Sequence, residues 1–146
     1  MFEHNVAMAG VRLGEHRAAV LQRLGEPARS REQKSLPSWF DAEKHHAVVH
    51  GPFIADFWGD SSELKVESRR VDSEWVVSFV EVSEPAQVGI RGVGLNGLRI
   101  EEAESLLSAR GLLLVRSASD SSVAFVERLG VGLFVPDGFV RATSIG

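Results

Sequence analysis

Three groups of residues have types and spacings that could do chemistry. Gly92-Val93-Gly94-Leu95-Asn96-Gly97 fits the pattern Gly-x-Gly-x-x-Gly. It follows a short apolar run, Val88 to Ile90, precedes a helical stretch, and has Asp120 further along. Dinucleotide sites use this order, because the glycines let backbone amides approach a pyrophosphate at a helix N-terminus. The chain beyond Gly97 is too short for a doubly wound sheet and reads as hairpins. Turn glycines are therefore the better account.

The second group is His45, His46 and His50, with Asp41 and Glu43 close by. In an extended segment His46, Val48 and His50 point to one face. Two imidazoles and a carboxylate there could hold zinc. Such spacing is also common on wet strands, so surface or partner-facing histidines are the plainer reading, and no cofactor is expected. The third group is Asp56, Asp60 and Glu63, which could pair as general acid and base. An exposed acidic loop is the simpler reading. No serine sits in Gly-x-Ser-x-Gly. The expectation is a protein that is not an enzyme.

Aromatic and acidic residues are interleaved in one region. Trp39, Phe40, Phe53, Phe57 and Trp58 crowd together with Asp41, Glu43, Asp56 and Asp60. Aromatics serve cores and interface hot spots alike. The partner-binding set expected from this strip is Trp39, Phe40, Asp41, Glu43, Asp56, Trp58 and Asp60. Its acids would suit a partner with a basic surface, through steered association.

The elements that must position these residues come in two similar stretches. Gly10, Val11, Leu13 and Gly14 match Gly92, Val93, Leu95 and Gly97, with one inserted residue. A helix follows each. The first carries Ala18, Val20, Leu21 and Leu24 on its apolar face and stops at Gly25-Glu26-Pro27. The second carries Ile100, Ala103, Leu106 and Leu107 and stops at Arg110-Gly111. Strands are expected at Phe53–Trp58, Leu64–Arg69, Trp75–Val82, Leu112–Arg116, Ser122–Glu127, Gly130–Val135 and Phe139–Ile145. Others are expected at Trp39–Phe40 and Ala47–His50. Arg29 to Pro37 reads as a polar loop or frayed edge. Pro136-Asp137-Gly138 is a turn, since Pro presets φ and Gly supplies a positive one. The predicted fold is α+β: two tandem helix-plus-antiparallel-strand units, 1–88 and 89–146, in one compact domain. They share an antiparallel sheet with helices on one face.

Two motifs carry a family resemblance. They are Val11-Arg12-Leu13-Gly14 with Leu24-Gly25-Glu26-Pro27, and Leu133-Phe134-Val135-Pro136-Asp137-Gly138. The chain resembles the superfamily of β-lactamase inhibitor protein (BLIP-like) and the BamE (SmpA/OmlA) outer-membrane assembly lipoproteins. It also looks like small bacterial immunity proteins that neutralise a cognate toxin. The resemblance implies a helix packed on an antiparallel sheet and a role in binding another protein, an inhibitor or immunity function. The sequence departs from these relatives in having no lipobox cysteine and none of the inhibitor's disulfides.

Composition narrows the classes further. The chain has 146 residues and no cysteine, which excludes disulfides, thiolate zinc sites and a cysteine nucleophile. Twenty acidic and sixteen basic residues give a net charge of −4, so no basic nucleic-acid surface is expected. There is neither a signal-peptide pattern at Met1 to Gly10 nor an apolar run long enough to span a membrane. The expectation is a cytoplasmic protein, unless a signal was removed beforehand.

Overall fold

The computed structural model describes residues 7–33 and 52–146. Strands β1 (Ala7–Met8) and β2 (Val11–Arg12) form a short ribbon that leads into helix α1 (Arg17–Leu24). Strands β3 (Arg29–Gln33), β4 (Phe53–Trp58), β5 (Leu64–Val71) and β6 (Glu74–Ser83) follow. A second ribbon, β7 (Gly89–Ile90) and β8 (Val93–Gly94), leads into helix α2 (Ile100–Ser108). The chain then forms β9 (Leu114–Arg116), β10 (Val123–Val126), β11 (Val131–Phe134) and β12 (Ala142–Ile145).

Eight of these strands make one sheet in the order β3-β4-β5-β6-β12-β11-β10-β9. Every pairing in it is antiparallel. The β5–β6 hairpin closes through Asp72 and Ser73, which both take positive φ, the geometry a two-residue hairpin loop needs.

The expectation of an α+β fold made of two helix-plus-strand units is corrected. Strand accounts for 44% of the described residues and helix for 14%, and the architecture is mostly β. The matching Gly-Val-Leu stretches mark two similar ribbons and helix entries, and they say little about how much of the chain is strand. The helices are eight and nine residues long. In α1 only Val20 is fully buried. Most of the burying surface belongs to the strands.

Register shows why one sheet face is covered. Ser30, Asp56, Val66, Val80, Ile145, Val131, Val126 and Leu114 lie in one row across all eight strands. All but Ser30 are buried. Met8, Val11, Val20, Ile90, Val93, Ile100, Ala103 and Leu107 pack on this face from the ribbons and helices. Side chains alternate along a strand, so the neighbouring row belongs to the opposite face. It reads Arg29, Phe57, Lys65, Glu81, Ser144, Gly132, Phe125 and Val115.

The segment beginning at Arg29, expected as a loop or frayed edge, forms the edge strand β3 through Gln33. Arg29 to Glu32 are all exposed, so backbone pairing with β4 holds this strand in place. Its charges suit an edge, where unpaired backbone would otherwise invite another strand.

Candidate protein-binding face

The second row identifies a sheet face on which, among the described residues, no helix packs. On its β9–β11 side three large apolar residues are exposed, Phe125 at 49%, Phe134 at 45% and Val115 at 42%, and Leu113, just before β9, is exposed at 60%. Phe125 sits opposite Val115, and Phe134 lies two residues along β11 from Gly132. Their neighbours Ala124, Val126 and Leu133 turn inward and are buried. The same alternation that builds the core therefore places the two phenylalanines outside.

The β3–β6 side of this face is charged. Arg29 stacks on Phe57 with its guanidinium 4.0 Å from the ring centre. Lys65 bonds Glu67 at 3.0 Å and lies 5.5 Å from the centre of the Phe79 ring. Glu81 stands between Lys65 and Ser144. Burial raises the Glu81 carboxyl above the usual carboxylate range, Lys65 opposes this and Glu67 adds to it.

The residues expected at a partner site are distributed differently. Asp56 is fully buried on the covered face. Arg17 Nε and Nη2 donate to it at 2.7 and 2.9 Å, and Ser30 Oγ donates at 2.6 Å. Its carboxylate ties α1 to β3 and β4 and offers nothing to a partner. Trp58 packs against the core, and its Nε1 donates to the Gly25 carbonyl at 3.2 Å. Asp60 is exposed in the turn after β4. Trp39, Phe40, Asp41, Glu43, His45, His46 and His50 lie outside the described residues. Among the described residues no three His, Asp or Glu side chains gather as a metal site.

The glycine loop is occupied by the protein itself. Gly92 and Gly97 take positive φ, as turn glycines do. At the entry to α2 the Gly97 amide donates to the Val140 carbonyl at 2.7 Å, and the Ile100 amide to that of Gly138 at 2.9 Å. A phosphate would need such amides free. Asn96, in the middle of the motif, is buried. Its Nδ2 donates to the carbonyls of Val82 at 2.9 Å and Ala86 at 3.0 Å, and its Oδ1 accepts from Thr143 Oγ1 at 2.9 Å. The motif's polar residue thus pins the second ribbon to β6 and β12.

Sequence reasoning missed Phe125, Phe134, Val115 and Glu81 as surface residues. The signal for Phe125 was present in Val123-Ala124-Phe125-Val126, where it is out of phase with its buried neighbours. Deciding which phase faces outward required knowing where the helices pack. Among the described residues no helix is long and apolar enough to cross a membrane. Comparison with protein-family models, curated proteins and solved structures finds no match.

Proposed function

We propose that this chain is a non-enzymatic protein-binding module of the immunity or inhibitor kind, which uses the open sheet face to cover a partner toxin or enzyme. The observation that carries this reading is the exposure of Val115, Phe125 and Phe134 together on one sheet face, with Leu113 exposed just before β9. The opposite face is filled by helices and ribbons. Contiguous exposed apolar patches mark interaction sites when they are larger than those of ordinary monomers, and aromatic residues are enriched at interface cores. The occupant that fits is a folded protein presenting apolar anchors. The resemblance of the Leu-Gly-Glu-Pro and Pro-Asp-Gly stretches to inhibitor and immunity proteins points the same way.

The test is retention of a protein from native extract on the immobilised chain, compared across variants. Phe125→Asp with Phe134→Asp should abolish retention. Leu106→Glu, on α2, should leave it intact. A partner held equally by the double variant, or a small molecule copurifying in its place, overturns the reading.

A further inference from the structure

Three arginines gather at the C-terminal end of α2. Arg110 follows the helix, Arg91 turns β7 into β8, and Arg128 lies between β10 and β11. Arg91 Nη1 donates to the Arg110 carbonyl at 3.0 Å, and Arg110 Nε returns a bond to the Arg91 carbonyl at 3.1 Å. Arg110 Nη1 also donates to the Leu106 carbonyl at 3.1 Å. Carbonyls at a helix C-terminus attract cations, so these bonds fix two guanidinium groups in place and neutralise neither. Every ion pair among the described residues is made elsewhere in the chain.

A cavity of about 310 Å³ opens beside them. Arg91, Arg128 and Glu127 line it, together with Leu113 and Leu129. Leu113 is exposed, and Leu129 is half-buried against the core. Arg91 and Arg128 take φ of 47° and 70°, a region that glycine or asparagine enters more readily than a long side chain. Local preference therefore opposes arginine at both turns. A sequence that breaks such a rule does so most often where a site requires it, and here both exceptions line one cavity.

We propose that this cavity binds an organic carboxylate with a short aliphatic body. The guanidinium groups of Arg91 and Arg128 would donate to the carboxylate, whose planar shape suits their fork and whose charge strengthens the bonds. Arg110 adds to the local positive charge. The aliphatic body would lie against Leu113 and Leu129. A cation would be repelled, and a neutral amide would forgo the charge. Glu127 at the rim opposes the anion and holds its affinity down. Two sources carry this chemistry, a small free acid and the C-terminus of a polypeptide. Binding here does not require a protein on the open sheet face.

The experiment uses the whole chain, isotope-labelled, with hexanoate as the probe and hexanamide as the neutral control. Amide shifts are followed by NMR. The expected result is saturable millimolar binding of hexanoate that shifts Arg91, Leu113, Arg128 and Leu129. Affinity should fall about fivefold or more in Arg128→Gln. Arg70→Gln, the same change of charge placed on β5, should leave affinity within about twofold. Glu127→Gln should tighten binding, since it removes the opposing charge. The proposal is overturned by no saturable shift, by hexanamide binding as tightly as hexanoate, or by Arg128→Gln losing no more than Arg70→Gln. Acetyl-Gly-Gly-Leu with a free terminus, set against its amide, separates the two sources. Binding tighter than that of hexanoate assigns a polypeptide terminus, and equal or weaker binding assigns a small acid. Loss of the hexanoate site leaves the retention test of the open face standing, and the reverse also holds.

Discussion

Arg17 and Asp56 stand 39 positions apart, yet the guanidinium of one grips both carboxylate oxygens of the other, at 2.7 and 2.9 Å. The Asp56 side chain is 1% exposed and that of Arg17 22%. Asp56 stands in the covered row between Ser30 and Val66, at the end where α1 gives the sheet little apolar cover. Ser30 completes the carboxylate's partners from β3. The pairing makes Arg17 the link between helix and sheet, and its guanidinium is held more strongly protonated by the Asp56 bonds.

Arg17→Met should therefore destabilise the fold strongly. It keeps the stem's packing but leaves Asp56 buried with only Ser30. Breaking a buried pair from one side costs about 3–5 kcal/mol. Replacing both members with apolar residues, Arg17→Met with Asp56→Leu, should recover much of that loss. Urea unfolding of the single and double variants would check this, and equal losses in both would count against the pairing as the cause.

Asn96→Ala should be costly for a related reason. The change orphans the carbonyls of Val82 and Ala86 and the Thr143 hydroxyl, in a buried setting. Each lost bond is worth about 1 kcal/mol, and a group left unsatisfied costs about 1–3 kcal/mol. Asn96→Asp should be at least as damaging, because an ionised carboxylate cannot donate to either carbonyl. Thr143→Val, combined with Asn96→Ala, should lose less than the sum of the two single changes. Denaturant midpoints measure all three.

Asn96 also shows where the sequence was legible and where it was not. The glycines around it were readable as turn residues, because positive φ is a local demand. The partners of Asn96 come from β6, from the chain just after it and from β12, and nothing local announces them. Asp56 was misread for the same reason. Interleaved with Phe53, Phe57 and Trp58, it looks like a surface acid, and only register with Val66 places it inside. A strand such as Leu64–Arg69 is legible from alternation within its own segment. The fold class went wrong because two similar helix entries drew weight that the strands deserved. Glu81 lies in the clearest strand of the chain, yet its face was decided by where α1 and α2 pack.

The two faces of the sheet should respond oppositely to mutation. Leu133→Ala removes a buried side chain facing the helices and should cost about 2–5 kcal/mol. Phe134→Ser, its immediate neighbour on the open face, should change stability by about 1 kcal/mol or less, since the ring is already half-exposed. Thermal unfolding of the pair checks the assignment of faces. Similar losses at both positions would mean that something covers Phe134.

Glu81 should give stability a pH dependence of one sign and Glu15 the other. Burial raises the folded-state Glu81 carboxyl above its unfolded value. Its protonated form is therefore favoured by folding. That contribution is full below the ordinary carboxylate range and is lost as pH rises through the raised value. Glu81→Gln should be more stable than the natural chain at neutral pH, and the advantage should shrink as pH falls toward the ordinary range. Glu15 behaves inversely. The hydrogen bonds from Arg23 hold its carboxyl below the usual range, with the Arg12 amide adding to this. Its contribution is present above that range and is lost as pH falls through the lowered value. Glu15→Gln should then be destabilised at neutral pH and match the natural chain in acid. Urea midpoints across pH 3 to 7 for the three proteins test both signs, and parallel curves for natural chain and Glu81→Gln would show that folding does not raise the Glu81 carboxyl.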